Sequence, residues 1–311
     1  MPTADGRAGS PGTTVDRGSA VGLRRALRVP WAFVLLALLP YAAIVLYPSV
    51  AGTLFAFTDW SGVGSFRWVG LRNFHRVAED REAYVSLGNT VFLAVTTTVV
   101  QNLCGLALAL ALNGSSPLKA VLRPVFLAPV LLAPVVVGVV WQYVYAPEGA
   151  LNAVLAAAGL ADWQRAWLGE PGTALWVVSL TVVWQYVGIT TCIYLAGLQA
   201  IAPELQEAAA IDGAGTFARF RRITLPLLAP AVTVNVLLPF IGGLKLFDQI
   251  FVMTNGGPGY STQTVALMIY RQAFTHGAFA YSTALAVVLT VLVAVVALVQ
   301  LAALRRREAA P

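Results

Sequence analysis

The sequence predicts an all-α, polytopic membrane protein with six transmembrane helices, and three observations carry that prediction. Of its 311 residues, 58% are hydrophobic and only 11% charged, with a mean hydropathy of +0.75, which is too apolar for an ordinary soluble globule. Long charge-free intervals fall at 29–58, 83–118, 124–147, 171–203, 223–244 (continuing past Lys245 and Asp248) and 272–304. Each exceeds the roughly 20 residues that cross about 30 Å of hydrocarbon as helix. The basic residues then sort by side. Arg7, Arg17, Arg24, Arg25 and Arg28 precede the first span, Lys119 and Arg123 separate the second from the third, Arg219, Arg221 and Arg222 separate the fourth from the fifth, and Arg305 to Arg307 follow the sixth. The opposite loops mix Arg67, Arg72, Arg76, Arg81, Arg165 and Arg271 with a similar number of acids. By the positive-inside rule both termini are cytoplasmic and the chain sits in the cell (inner or plasma) membrane. The net charge of +6 therefore reflects topology and calls for membrane lipid, not nucleic acid, as surroundings.

Residues 1–29, rich in Gly, Ser, Thr, Pro and Arg without apolar periodicity, read as a disordered cytoplasmic tail. The first span, about 30–56, contains Pro40 and Pro48, which a membrane helix tolerates when neighbours satisfy the freed backbone groups. That run is too long for a signal peptide and lacks a small-residue cleavage site, so it is expected to be retained. Residues 30–86 thus hold the first span and an external loop. Span two covers about 87–112, Asn113-Gly114 makes a cytoplasmic turn, and span three covers about 120–146. The external segment 147–172 holds an amphipathic stretch from Ala150 to Leu160, then Trp163 and Trp167 as interfacial anchors. Span four covers about 173–198, and span five about 227–251, interrupted by Pro239 and Gly242-Gly243. After span six, 306–311 is a short cytoplasmic tail. Cys104 and Cys192 fall inside apolar runs and read as small buried hydrophobes.

One polar interruption stands out, from Glu207 to Pro226. Pro203 suits a first helical position, Glu204 and Glu207 favour the N-terminal end, and the Ala-rich run to Ile211 has high helix propensity. Gly213 is expected to stop that helix and to let another surface approach. Thr216 is expected to cap a second short helix carrying Phe217 and Phe220 beside Arg219, Arg221 and Arg222, ended by Pro226. By itself this reads equally as a plain helical hairpin between spans. Its fixed positions, however, are Glu207-Ala208-Ala209, three residues, Gly213, nine residues, then Ile223-x-Leu225-Pro226.

That spacing resembles the EAA loop of permease subunits of binding-protein-dependent carbohydrate importers of the ATP-binding-cassette class, the type I importers. Phe57-Thr-Asp-Trp60, Trp68-Val-Gly-Leu-Arg-Asn-Phe74 and the Thr254-x-Gly-Gly-Pro258 turn resemble external segments of the same family, so the likeness runs over about residues 30–304. Gln206, where an aromatic is common, and Gly215, a second flexible point, depart from the pattern outside the motif. The resemblance implies a type-1 permease core over 87–305 with its EAA loop at 207–226, and assigns ATPase docking to Glu207, Ala208, Ala209, Gly213, Ile223, Leu225 and Pro226. It also implies a second permease subunit, a cytoplasmic ATPase dimer, an external solute-binding protein and a sugar substrate.

The chemistry missing from the chain agrees with a subunit that does not hydrolyse ATP. Only two lysines occur, Lys119 before Ala120 and Lys245 before Leu246, so no Gly-Lys-Ser/Thr phosphate loop exists. His75 and His276 stand alone in external segments, no nucleophile elbow or carboxylate pair appears, and no cofactor, metal or catalytic residue is expected. Polar groups in the spans are the candidates for a solute pathway. Trp184, Gln185 and Tyr186 lie near the middle of span four, where an aromatic and an amide suit a sugar ring and suit helix–helix packing equally. Lys245 and Asp248, i and i+3 on one helix, read as a neutralising structural pair or as pathway charges. The expected function is a permease subunit for a sugar. A permease for glycerol phosphate or another polyol is the near alternative, and an ion-coupled secondary carrier the distant one, since it would leave the loop spacing a coincidence. Reporter fusions after Gly114, Gly215 and Arg307 are expected to report the cytoplasm, and those after Gly64, Gly172 and Gly259 the outside; an external signal at Gly215 would remove the basis for docking at this loop.

Overall fold

The computed structural model describes residues 31–308, so the expected N-terminal tail and the last three residues lie outside the described residues. The chain divides into two units, Met1–Gly52 and Thr53–Pro311. In the first, α1 (Trp31–Tyr41) passes through a π-helical turn, Ala42–Leu46, into α2 (Tyr47–Phe55). The widened turn falls between Pro40 and Pro48, whose missing N–H groups interrupt the ordinary bonding pattern.

The second unit is helical, and its only β pairing among the described residues is an isolated bridge between Thr58 and Trp68. That bridge fastens the loop expected to be external. Asn73 Nδ2 donates to the carbonyls of Ala56 and Thr58 at 2.8 Å each, and Arg67 N donates to Asp59 Oδ1 at 2.7 Å. A short amphipathic helix follows, α3 (Arg72–Glu79), and it contains His75.

Three long helices form the frame: α4 (Arg81–Leu112), α8 (Pro171–Gln199) and α15 (Phe279–Glu308). α4 begins six residues before the expected span because Asp80 caps it, its Oδ1 accepting from Glu82 N at 2.8 Å. α4 packs most extensively on α8 and then on α12 (Ala229–Leu244). Between the long helices the chain is broken. α5 (Pro117–Leu127) and a 3₁₀ turn to Leu131 meet α6 (Pro134–Val144) at 99°, and the helical stretch Thr216–Leu227 meets α12 at 68°. Among the described residues, four helices are long and apolar enough to span a membrane, and up to the expected six if each bent pair counts as one. The first bend follows from Pro134, which keeps the preceding Ala133 in the extended region and leaves carbonyls unbonded.

α7 (Ala150–Ala157) falls in the amphipathic stretch expected to be external, and is tied down by Asn152, which bonds Pro147 O, Arg165 O and Trp167 Nε1. On the other side, α9 (Pro203–Ile211), α10 (Thr216–Arg219) and α11 (Leu225–Leu227) make up the Glu207–Pro226 region. Beyond α12 come α13 (Asp248–Met253) and α14 (Val265–Tyr270), the latter extended by a π turn to Thr275. Apolar side chains bury Leu93, Val178, Ile250 and Leu267 in one cluster and Tyr194, Leu198 and Leu228 in another.

Gly243 is where α12 crosses α4. A Cβ there would lie 2.5 Å from the Cα of Ala94, a backbone atom that cannot step aside. Gly243→Leu is therefore expected to destabilise the fold by about 1–3 kcal/mol or more through overpacking, read as a lower melting temperature of the detergent-solubilised protein, whereas Gly242→Ala, with open space at its Cβ, leaves it unchanged.

Candidate functional site

A cavity of about 350 Å³ opens where α12 ends. Helix stops at Leu244, residues 245–247 are non-helical, and α13 restarts at Asp248. Non-helical backbone at membrane depth is tolerated where it lines a cavity or is buried in protein, and here Lys245, Phe247, Asp248 and Gln249 all line the cavity. Opposite them stand Tyr186 and Thr190 of α8 and Gln101 of α4. The lining thus combines two aromatic rings with hydroxyl, amide and one charge of each sign, groups chemically capable of stacking and hydrogen bonding, among apolar side chains.

The polar groups around this space are held, not loose. Gln101 Nε2 donates to Thr190 Oγ1 at 2.7 Å, Asn235 Nδ2 donates to Thr190 O at 3.2 Å, and Asn102 Nδ2 donates to Asn235 O at 2.7 Å. Tyr194 OH closes the layer on Asn102 Oδ1 at 2.5 Å. These bonds join α4, α8 and α12, the interhelical polar contacts that hold helices together in hydrocarbon.

The structure brings Tyr186, Lys245 and Asp248 into the cavity lining and leaves Trp184 and Gln185 off it. Trp184 is 41% exposed and meets Trp141 edge to face at 5.3 Å. Gln185 is fully buried; its Nε2 donates to Leu132 O at 3.0 Å and its Oε1 accepts from Gln249 Nε2 at 2.9 Å. The expectation that Lys245 and Asp248 share one helix is corrected, because the break after Leu244 puts Lys245 in non-helical backbone and Asp248 at the start of α13. Gln101, Thr190, Asn235 and Gln249 escaped the sequence reading. The available signal was the same as for Gln185, a polar side chain in a charge-free run.

The second candidate site is the helix–turn–helix from α9 to α11. Gly213 has φ +80°, Ala214 N donates to Ala209 O at 2.9 Å and Gly213 N to Ala210 O at 3.1 Å, so α9 ends in a Schellman motif with glycine at C′. The second helix differs from expectation at both ends. Gly215, not Thr216, occupies the N-cap, with no side-chain cap bond. Pro226 does not terminate it; a π turn over Phe220–Thr224 leads into α11, and the chain bends only after Leu227. The proline's missing N–H leaves the preceding turn short of a donor, and the π turn re-registers it. Gln206 joins the two helices by donating to Thr224 Oγ1 at 3.0 Å, while its carbonyl accepts from Arg219 Nη1 at 3.4 Å.

Of the fixed positions, Glu207, Ala208, Gly213, Leu225 and Pro226 are exposed, while Ala209 and Ile223 are half-buried. Ile211 and Phe217 are 87% and 74% exposed on the same hairpin, large apolar side chains on a surface that otherwise carries Arg221 and Arg222. Among the described residues, no group of His, Cys, Asp and Glu could hold a metal ion.

Apolar helices broken around a cavity of mixed polar and apolar lining, together with a helix–turn–helix between two of them, suit a membrane-integral permease. The chain belongs to the family of binding-protein-dependent transport system inner membrane components, whose model matches residues 101–308. It is 32% identical over 278 residues to the probable starch degradation products transport system permease protein of Thermoanaerobacterium thermosulfurigenes, covering 89% of this chain and 94% of the relative. It is 36% identical over 227 residues to the trehalose/maltose transport system permease protein of Thermococcus litoralis, covering 73% of this chain and 76% of the relative. In fold it is similar to a bacterial alginate ABC transporter solved in complex with an alginate pentasaccharide-bound periplasmic protein, with a TM-score of 0.77 at 22% identity over 92% of this chain and 98% of the other.

Gln185→Leu is expected to leave the Leu132 carbonyl and the Gln249 amide unpartnered. Equilibrium unfolding in mixed micelles should show a loss of about 1–3 kcal/mol, and Gln185→Glu, which keeps an acceptor but loses the donor to Leu132, should also lose stability.

Proposed function

We propose that this permease is one of two membrane subunits of an ATP-driven importer and carries a neutral sugar, handed over by an external binding protein, through the cavity at the α12–α13 break. The observation that carries the reading is the lining of that cavity, with Tyr186 and Phe247 as ring surfaces and Gln101, Thr190 and Gln249 as hydrogen-bonding groups. Its charged lining is one lysine and one aspartate, Lys245 and Asp248. That balance suits a neutral solute better than a phosphate ester, which would favour an excess of cation. The relatives named for sugar transport support the substrate class, and the periplasmic protein seated on the similar alginate transporter supports the binding-protein partner.

Energy enters at the other end. The α9–α11 hairpin presents Glu207 for a charge-assisted hydrogen bond and Ile211 and Phe217 for burial, a combination suited to a cytoplasmic ATPase subunit. Glu207 also borders a surface cleft of about 520 Å³ with Gln199, Gln206 and Thr224, between the ends of the long helices and α9. The clustering of basic residues before the first span and after the last supports both termini on the cytoplasmic side. ATP-driven closure of the ATPase pair would move this hairpin as a rigid body, and the spans behind it would switch the cavity between the membrane faces.

Gly213→Asp tests the coupling. At φ +80° a side chain costs about 1–3 kcal/mol of backbone strain, and the new carboxylate alters the docking charge. The variant is expected to insert in the membrane but to lose ATPase co-purification and sugar uptake, with Glu207→Ala impaired less severely. Normal ATPase recovery with full uptake in Gly213→Asp would show that the hairpin does not transmit the work.

A further inference from the structure

A second cavity, of about 450 Å³, lies at the outer end of the bundle, bordered by Phe251 of α13, Tyr260 of the 254–264 turn, Tyr270 of α14, and the polar groups of Glu82, Asn255, Arg271 and His276. The sequence reading left His276 as a solitary loop residue and gave the Thr254–Pro258 turn no task.

Two features distinguish this cavity from an incidental surface hollow. The first is that its aromatic wall continues into the central cavity. Phe247, which lines the central cavity, stacks on Phe251 at 5.3 Å with an interplanar angle of 16°, and Tyr270 sits 5.4 Å from each of them. Phe251 and Tyr270 line the outer cavity. The two spaces therefore share one cluster of three rings. The second is that its polar wall is built. Arg271 Nη1 donates to Gln263 Oε1 at 2.7 Å and Nη2 to Asn255 O at 2.5 Å, while Gln263 Nε2 donates to Glu82 Oε1 at 2.7 Å and Ser86 Oγ at 3.0 Å. A guanidinium has five N–H donors, and a carboxylate has two oxygens, so both groups keep capacity after these bonds are made. Asn89 Nδ2 fixes the turn by donating to Tyr260 O and Gln263 O at 3.0 Å each.

Ring faces beside a positioned guanidinium and carboxylate match a neutral pyranose, whose C–H face stacks while its hydroxyls both donate and accept. We propose that the outer cavity is a second sugar subsite, holding the trailing rings of a neutral oligosaccharide of three or more units while the two leading rings occupy the central cavity, with Phe247, Phe251 and Tyr270 as the shared wall. The inference rests on the reading of the central cavity as a sugar pathway, and it adds that the solute is a chain of pyranose rings, not a monosaccharide.

The test uses the complete importer in proteoliposomes, with uptake of three pairs of probes: maltose and maltotetraose, cellobiose and cellotetraose, xylobiose and xylotetraose. For a transported pair, Tyr270→Leu and Tyr260→Asn are expected to lower the rate for the tetrasaccharide relative to the disaccharide by about tenfold, the scale of one lost stacking contact. Asn accepts the left-handed backbone of position 260, where φ is 65°. Phe274→Leu, in the same ring cluster but outside both cavities, should keep the wild-type ratio. Co-purification of the subunits checks assembly, and Tyr260→Asn decides the matter if Tyr270→Leu does not assemble. A ratio within twofold of wild type, or an equal loss for both lengths, overturns the outer subsite and leaves the sugar pathway standing. Uptake of none of the six probes by the wild-type importer overturns both.

Discussion

The structure depends on one buried amide. The chain leaves helix at residues 132–133 and again at 245–247, and each break exposes backbone groups that hydrocarbon cannot satisfy. Gln185, on the unbroken helix α8, bonds one break at Leu132 O and reaches the other through Gln249, four residues after Lys245. A leucine of similar size would pack in the same place but would leave both breaks unanswered, at a cost that hydrocarbon makes larger than water would. With that amide in place, the chain keeps non-helical backbone deep in the bundle, and non-helical backbone allows the cavity to be lined by residues as polar as Lys245 and Asp248.

The same residue shows how far the sequence was legible. Spans were readable because charge-free length is imposed directly by the bilayer, and the Glu207–Pro226 hairpin because its helix propensity, its Gly213 stop and its fixed spacing all agree. Gln185 was visible as a polar residue in an apolar run, yet its partner could not be inferred: Leu132 is 53 residues away and offers a backbone carbonyl, a group every residue has. Lys245 and Asp248 were placed on one helix because i, i+3 spacing assumes continuity, and Gly242-Gly243, which the sequence did flag, sit just before the point where continuity fails. The direction of the Pro226 error was similar. A proline is expected to end a helix, but a π turn five residues long absorbed the lost donor, and the bend came at Leu228.

That bend matters for what the hairpin can move. Leu228 is fully buried, packed among Tyr194, Leu195 and Leu198 of α8 and Ala109 of α4, so the corner between the hairpin and α12 is pinned in the core. Gln206 ties α9 to the second helix at Thr224, one turn before the corner, and makes the hairpin a single body. An aromatic at position 206 would hold the two helices by packing alone; the amide holds them by a directed bond.

A push on the hairpin is therefore delivered at a fixed pivot and continues along α12, whose far end is the break at 245–247. Interiors packed at close to crystal density transmit displacement along helices and yield where packing is absent. Along α12 that place is the cavity itself, which borders the helix from Asn235 to Gly243. The helix crosses α4 closely at Gly243 and is discontinuous immediately after Leu244, so rotation about Leu228 would change the cavity's walls. Cavity-lining Lys245 and Asp248 and the Glu207–Pro226 hairpin thus lie beyond opposite ends of α12. On the proposed function, the break that makes room for the solute would also be the hinge through which the hairpin acts on it.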